Sequence, residues 1–139
     1  IQHIGSTAIV GMAAKPIIDI LVGVKKLERM FSDKSLLENN GYDYRENHST
    51  SERLLFIKGN DLIRTNHIHI VEWGSREWYD KICFRDYLIE NPSVAEEYQL
   101  LKQKLAEKFC DNREGYTSGK SEFINMILNN IKDREVLCL

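Results

Sequence analysis

The chain has 139 residues, and 19 Lys plus Arg against 21 Asp plus Glu leave a formal net charge of −2, which suits one domain and excludes a strongly acidic or basic tail. With 42% apolar residues it can bury a core, while a sequence pI near 6.1 gives no global pull towards nucleic acid. The longest apolar run, Pro16 to Val24, is far shorter than the roughly 18 residues a bilayer crossing needs and is interrupted by Asp19, so membrane spanning is excluded. Cys83, Cys110 and Cys138 are odd in number, far apart and in no metal-ligand spacing, which reads as reduced thiols in a cytoplasmic protein.

The chain opens Ile1-Gln2-His3, without Met or a leader-like stretch, and reads as a fragment whose N-terminal segment is missing. Gly5-Ser6-Thr7 follows, then Ala8 to Ala14, whose small and apolar residues predict one or two helical turns. Ile17 to Val24, nearly continuous in Ile, Leu and Val between Pro16 and Gly23, predicts a central strand covered on both faces. Leu27 to Asn40 keeps helical spacing and stops at Asn40-Gly41. Tyr42 to Arg45 alternates, Arg53 to Lys58 is an apolar strand, Gly59-Asn60-Asp61 is a turn and Leu62 to Glu72 alternates again, which predicts an antiparallel hairpin.

After Trp73 the period changes from two to about 3.6. Trp78, Ile82, Arg85 and Leu88 mark one helix face ending near Asn91. Asn91-Pro92 opens a second helix carrying Val94, Tyr98, Leu101, Leu105 and Phe109, and a third starts around Thr117. Trp73 and Trp78 read as core or sheet-helix contacts, and Lys102 and Lys120 as solvated helix residues. The pattern predicts one α+β unit over residues 1–139, a small mixed sheet with packed helices in 1–73 and a helical portion in 74–139.

Three features place polar groups where the pattern alone would not. A strand running through Gly5-Ser6-Thr7 into a helix makes either an ordinary cap or a concave anion site in which glycine admits a phosphate. Asp19 is the one charge in an otherwise apolar strand, on a face with Ile17, Leu21 and Gly23, and burying it calls for a cation, a metal or hydrogen-bond donors. His67-Ile68-His69-Ile70 sends both imidazoles to one face, an arrangement suited to metal ligation, phosphate contact or proton transfer, or to structural hydrogen bonds. Lys15 is a candidate phosphate contact, and Arg85 a partner for a phosphate, for Asp19 or for a structural carboxylate.

His3-Ile4-Gly5-Ser6-Thr7-Ala8 through Gly11, then Ala14-Lys15-Pro16-Ile17-Ile18-Asp19-Ile20, resembles the signature of the GrpB family, a bacterial group assigned to the nucleotidyltransferase superfamily. His67 to Ile70, Phe84 to Leu88 with Pro92, Tyr98 and Lys102, and Tyr116 with Lys120 and Phe123 are similar to later blocks of that family. The resemblance implies a polymerase-β-like nucleotidyltransferase core and metal-assisted nucleotidyl transfer from a nucleoside triphosphate to a hydroxyl or phosphate acceptor. On that reading Gly5, Ser6, Thr7, Lys15 and His67 bind the nucleotide phosphates, Asp19 and His69 hold a divalent metal, magnesium or manganese, and Asp19, His69 and Arg85 are catalytic. Superfamily members usually present Asp-x-Asp or Asp-x-Glu, whereas here the second position is Leu21. One carboxylate is too few for a two-metal mechanism, and imidazoles filling the shell suit manganese or zinc better than magnesium. The alternative is a catalytically inactive nucleotide- or phosphate-binding regulatory module, which Leu21 favours.

Overall fold

A computed structural model of the chain describes residues 1–60 and 62–137, with side chains as far as Asp133; Asp61 and Cys138 lie outside the described residues. Strand β1 spans Gln2–Ile4, β2 Ile18–Val24, β3 Tyr42–Tyr44, β4 Arg53–Gly59 and β5 Arg64–Glu72. Helices α1, α2, α3 and α4 span Leu27–Glu38, Arg76–Glu90, Pro92–Lys108 and Arg113–Leu137. The strands form one mixed sheet in the order β1-β2-β5-β4-β3, in which only β2 and β5 run parallel. Among the described residues the architecture is therefore α+β, five strands and four α-helices, with no helix long and apolar enough to cross a membrane.

Alternation along the strands sorts the sheet into two unlike faces. On one, Leu54, Phe56, Ile68 and Ile70 are buried beneath Leu27 of α1, with Ile20, Val22, Val24, Met30 and Leu37 packed around them. Full burial of such side chains contributes about 1.5–3 kcal/mol each. On the other face Ile4, Leu21 and Val71 meet Trp78 and Ile82 of α2. A third apolar cluster, Ile9, Leu88, Ala95 and Tyr98 with Phe84, Phe123 and Ile124, binds α2, α3 and α4 together. The helical half thus closes over the face that also carries Asp19, His67 and His69.

Several local expectations are corrected. Ala8 to Ala14 is not helical beyond a single 3-10 turn at Ser6–Ala8, because Gly11 adopts φ +82° and so short a segment does not repay helix nucleation. The last helix begins at Arg113, four residues before Thr117, where the Asn112 side chain accepts the amide of Gly115 at 2.9 Å. Gly115 and Gly119 inside it allow close approach: a Cβ at Gly119 would stand 2.5 Å from Leu105 of α3. Trp78 is buried as expected, but Trp73 is 69% exposed. The turn between β4 and β5 is pinned by Asn60, whose Oδ1 accepts the amides of Leu62 and Ile63 at 2.9 and 2.7 Å. Cys83 is half-buried and Cys110 exposed.

Candidate functional site

Strand register decides which polar side chains meet. Asp19 of β2 lies opposite Ile4 of β1 on one side and His67 of β5 on the other, and Leu21 lies opposite His69. Parallel pairing puts Asp19, His67 and His69 on the same face. His67 Nδ1 is 3.0 Å and His69 Nε2 3.3 Å from Asp19 Oδ1, so each imidazole donates to the same carboxylate oxygen. The side chains are 27% exposed for Asp19 and 17% for each histidine.

Burial opposes ionisation of Asp19, but the hydrogen bonds and charges of His67 and His69 outweigh it and hold the carboxyl well below the usual carboxylate range. Burial pushes His69 below the ordinary histidine value. Its hydrogen bond to Asp19 works against that shift, while the Lys81 ammonium and the Arg53 guanidinium add to it.

The one-metal arrangement fits this donor set. The three ligand atoms of Asp19, His67 and His69 all lie within 4.8 Å of one another. The two measured separations, 3.0 and 3.3 Å, match the edges of a polyhedron around an ion with bonds of about 2.0–2.1 Å. One carboxylate with two imidazoles is a shell for manganese, zinc or another first-row ion; it does not suit a pair of magnesium ions, which call for several hard oxygens. Leu21, fully buried against Trp78 and Val71, supplies no second carboxylate. The outer nitrogens, His67 Nε2 and His69 Nδ1, are buried without a protein partner.

Asp19 and His69 open into a cleft of about 480 Å³ between the sheet and α2, α3 and α4, while His67 lies outside its lining. Asp19, His69 and Arg53 line its sheet side, Gly5 and Ser6 one rim, and Lys81, Phe84, Arg85 and Tyr98 the helical wall. Gly5 has φ +74° and ψ −174°, a conformation that only glycine adopts without strain, and a Cβ there would stand 2.5 Å from Asp19 Oδ2. The glycine is required by the carboxylate beside it as much as by the turn.

The expected residues do not all gather at this point. Thr7 accepts or donates a hydrogen bond at 2.9 Å with His3 and does not line the cleft, and Lys15 is exposed in the loop before β2. Arg85 does line it, but its guanidinium donates to Asp86 Oδ1 at 2.7 Å and to Gln2 Oε1 and the His3 carbonyl at 2.9 Å, fastening α2 to β1.

Lysines that helical spacing treats as solvated are in fact engaged. Lys102 Nζ donates to Ser6 Oγ at 2.8 Å and to the Ala13 carbonyl at 3.2 Å, and Lys120 Nζ sits 4.4 Å from the centre of the Tyr116 ring. Burial lowers the basicity of both, Lys120 further depresses Lys102, and the negative charge of Asp19 partly restores Lys120. Tyr98, stacked on Phe123 and buried, has its hydroxyl pKa raised by burial. The sequence signal for Arg53, a charge opening an apolar strand, was equally slight.

The comparisons agree on one family. The GrpB protein family model matches residues 1–130. The chain is 43% identical over 134 residues to the glutamate-rich protein GrpB of Alkalihalophilus pseudofirmus, covering 93% of this chain and 76% of that one. It is 39% identical over 132 residues to the protein YqkA of Bacillus subtilis, covering 95% of this chain but only 38% of that relative. The crystal structure of the conserved protein GrpB from Enterococcus faecalis superposes with a TM-score of 0.78 at 34% identity, over 94% of this chain and 80% of that one. With a family model spanning nearly the whole sequence and a solved relative sharing its fold, the chain belongs to the GrpB family.

Proposed function

We propose that the cleft binds a nucleotide with a divalent metal, and that the protein is a nucleotidyltransferase-like enzyme acting on a hydroxyl or phosphate acceptor. The observation that carries this reading is the convergence of Asp19, His67 and His69 within 4.8 Å, beside the Gly5-Ser6 turn. Asp19, His67 and His69 would hold the ion, which supplies Lewis-acid stabilisation of charge developing on phosphoryl oxygens. The protein's own groups do the rest. Ser6, oriented by the Lys102 ammonium, faces the phosphates; Gly5 lets them approach Asp19; and Arg85, through Gln2 and the His3 carbonyl, holds β1 and so the turn. The fold proposed with this activity is a nucleotidyltransferase-like core.

A second reading, a phosphate-binding regulatory module, is favoured by Leu21, whose burial leaves β2 with a single carboxylate. Thermal unfolding of the full chain with Mn²⁺, Zn²⁺ or Mg²⁺ plus nucleoside triphosphate, followed by an assay for pyrophosphate release, tests both. Nucleotide should raise Tm only with metal, and Asp19→Asn should abolish that shift. Pyrophosphate release supports the enzyme, and tight binding with no release supports the module. No shift with any combination at millimolar ligand removes nucleotide binding.

A further inference from the structure

At the other end of the same cleft stands Arg53, on β4 opposite Val71 of β5 and so on the face that carries His69. Its Nη2 donates to the His48 carbonyl at 3.1 Å, a neutral acceptor, and its Nε is buried with no acceptor. The other cleft charges are matched. Lys81 lies 3.4 Å from Glu77, Asp80 is shared between Arg76 and Lys132, and Arg85 holds Asp86, whereas among the described residues no carboxylate stands within ion-pair distance of Arg53. An uncompensated, half-buried guanidinium is costly to keep, and its planar fork is shaped for carboxylate or phosphate oxygens.

One more donor lies beside it. Lys81 lines the same cleft, and its ammonium, 3.4 Å from Glu77, has further hydrogens to offer a bound anion. Arg53 stands three strands from β1, about 14 Å across the sheet, so a group bound there is separate from one held at Gly5-Ser6.

We infer that Arg53, with Lys81, forms a second anion-binding point in the cleft, which takes a phosphate or carboxylate group of the acceptor substrate. The acceptor is then an anionic molecule, with its reacting group reaching the Asp19-His69 edge while its charged group is gripped by the fork of Arg53. This assignment rests on the nucleotidyl-transfer reading for the word acceptor, but the binding point itself is testable without metal or nucleotide.

The test uses the full chain, metal-free, titrated separately with inorganic phosphate and with succinate while the Arg53 Nε–H resonance and, in wild type and variants alike, the backbone amide resonances of Lys81 and Phe84 are followed by NMR. The resonance should move and saturate at millimolar concentration with at least one probe, and the better probe identifies the charged group. Arg53→Gln should weaken that probe about tenfold or more, Arg53→Lys should lose part of that by keeping charge without the fork, and Arg29→Gln, an exposed position on α1 across the sheet, should leave it within about twofold. If Arg53→Gln does not fold, the wild-type resonance and the Arg53→Lys affinity still decide. A resonance unmoved by both probes, or substitutions at Arg53 that leave affinity unchanged, overturns the assignment. Probe binding that persists when no nucleotide and metal combination binds would defeat the nucleotidyl-transfer reading and leave this site standing.

Discussion

The two faces of one sheet are built to opposite specifications. Beneath α1, the alternate residues of β2, β4 and β5 are Ile20, Val22, Leu54, Phe56, Ile68 and Ile70, all apolar and packed. Beneath α2, the intervening residues of the same strands include Asp19, Arg53, His67 and His69 alongside Leu21 and Val71. One face stabilises the molecule, and the other spends part of that stability on charge held in a poorly solvated place. Alternation lets both share a backbone, so a substitution one position along a strand moves from one regime to the other.

The sharpest way to break the comparison is to hollow the apolar face. Phe56 is fully buried, and Phe56→Ala should cost about 3–5 kcal/mol in denaturant unfolding while leaving metal affinity per folded molecule unchanged. A large loss of metal affinity in the folded fraction would show that the faces are coupled. Gly5→Ala acts on the other face through backbone strain and the 2.5 Å approach to Asp19 Oδ2. It should destabilise by about 1–3 kcal/mol and also weaken metal binding, a pairing not expected from Phe56→Ala.

Acid should separate the faces more gently. His69 titrates below its ordinary value of about 6.5 in the folded protein, so as pH falls past that value the unfolded chain takes up a proton that the folded one refuses, and stability drops. Asp19 is also depressed, and its contribution, complete above about pH 4, is lost as pH falls further towards its folded value. In metal-free protein, His69→Gln should flatten the stability profile from about pH 6.5 downwards and, because His69 helps depress Asp19, make the loss at lower pH shallower while His67 keeps part of it. An unchanged profile would assign the acid sensitivity to other groups. The smallest effect is expected at Arg76, 80% exposed on its ion pair with Asp80, where Arg76→Ala should change stability by less than about 1 kcal/mol and leave anion and metal titrations as they are.

The apolar face was legible in the sequence because its signal is local. An apolar run identifies β4 and period two β5, helical spacing identifies α1, α2 and α3, and Asp19 and the two histidines stand out against their own strands. The pairing of β2 with β5, which brings Asp19 to His67, is not local and has no mark in either strand. The expected residues at the Gly5-Ser6 rim meet the trio, while Thr7 and Lys15 do not line the cleft. Arg53, Lys81, Lys102 and Lys120 went unrecognised because a lysine or arginine with a solvated tip and one folded into a cleft have the same spacing. Trp73, read as core or as a sheet-helix contact, shows the converse, an aromatic whose ring edge rests against Gly23 of β2 while most of it stays exposed.

Asp19 and His67 touch across 48 intervening steps of chain, and Asp19 and His69 across 50. Closing such a contact encloses α1, β3 and β4 in one loop of chain, because a parallel pair requires a crossover, and closing a long loop costs entropy before any contact repays it. The candidate centre thus exists only in chains whose β2 and β5 are paired. An ion or anion captured there acts as a latch on the finished chain, slowing escape from the native state while doing little to hasten arrival.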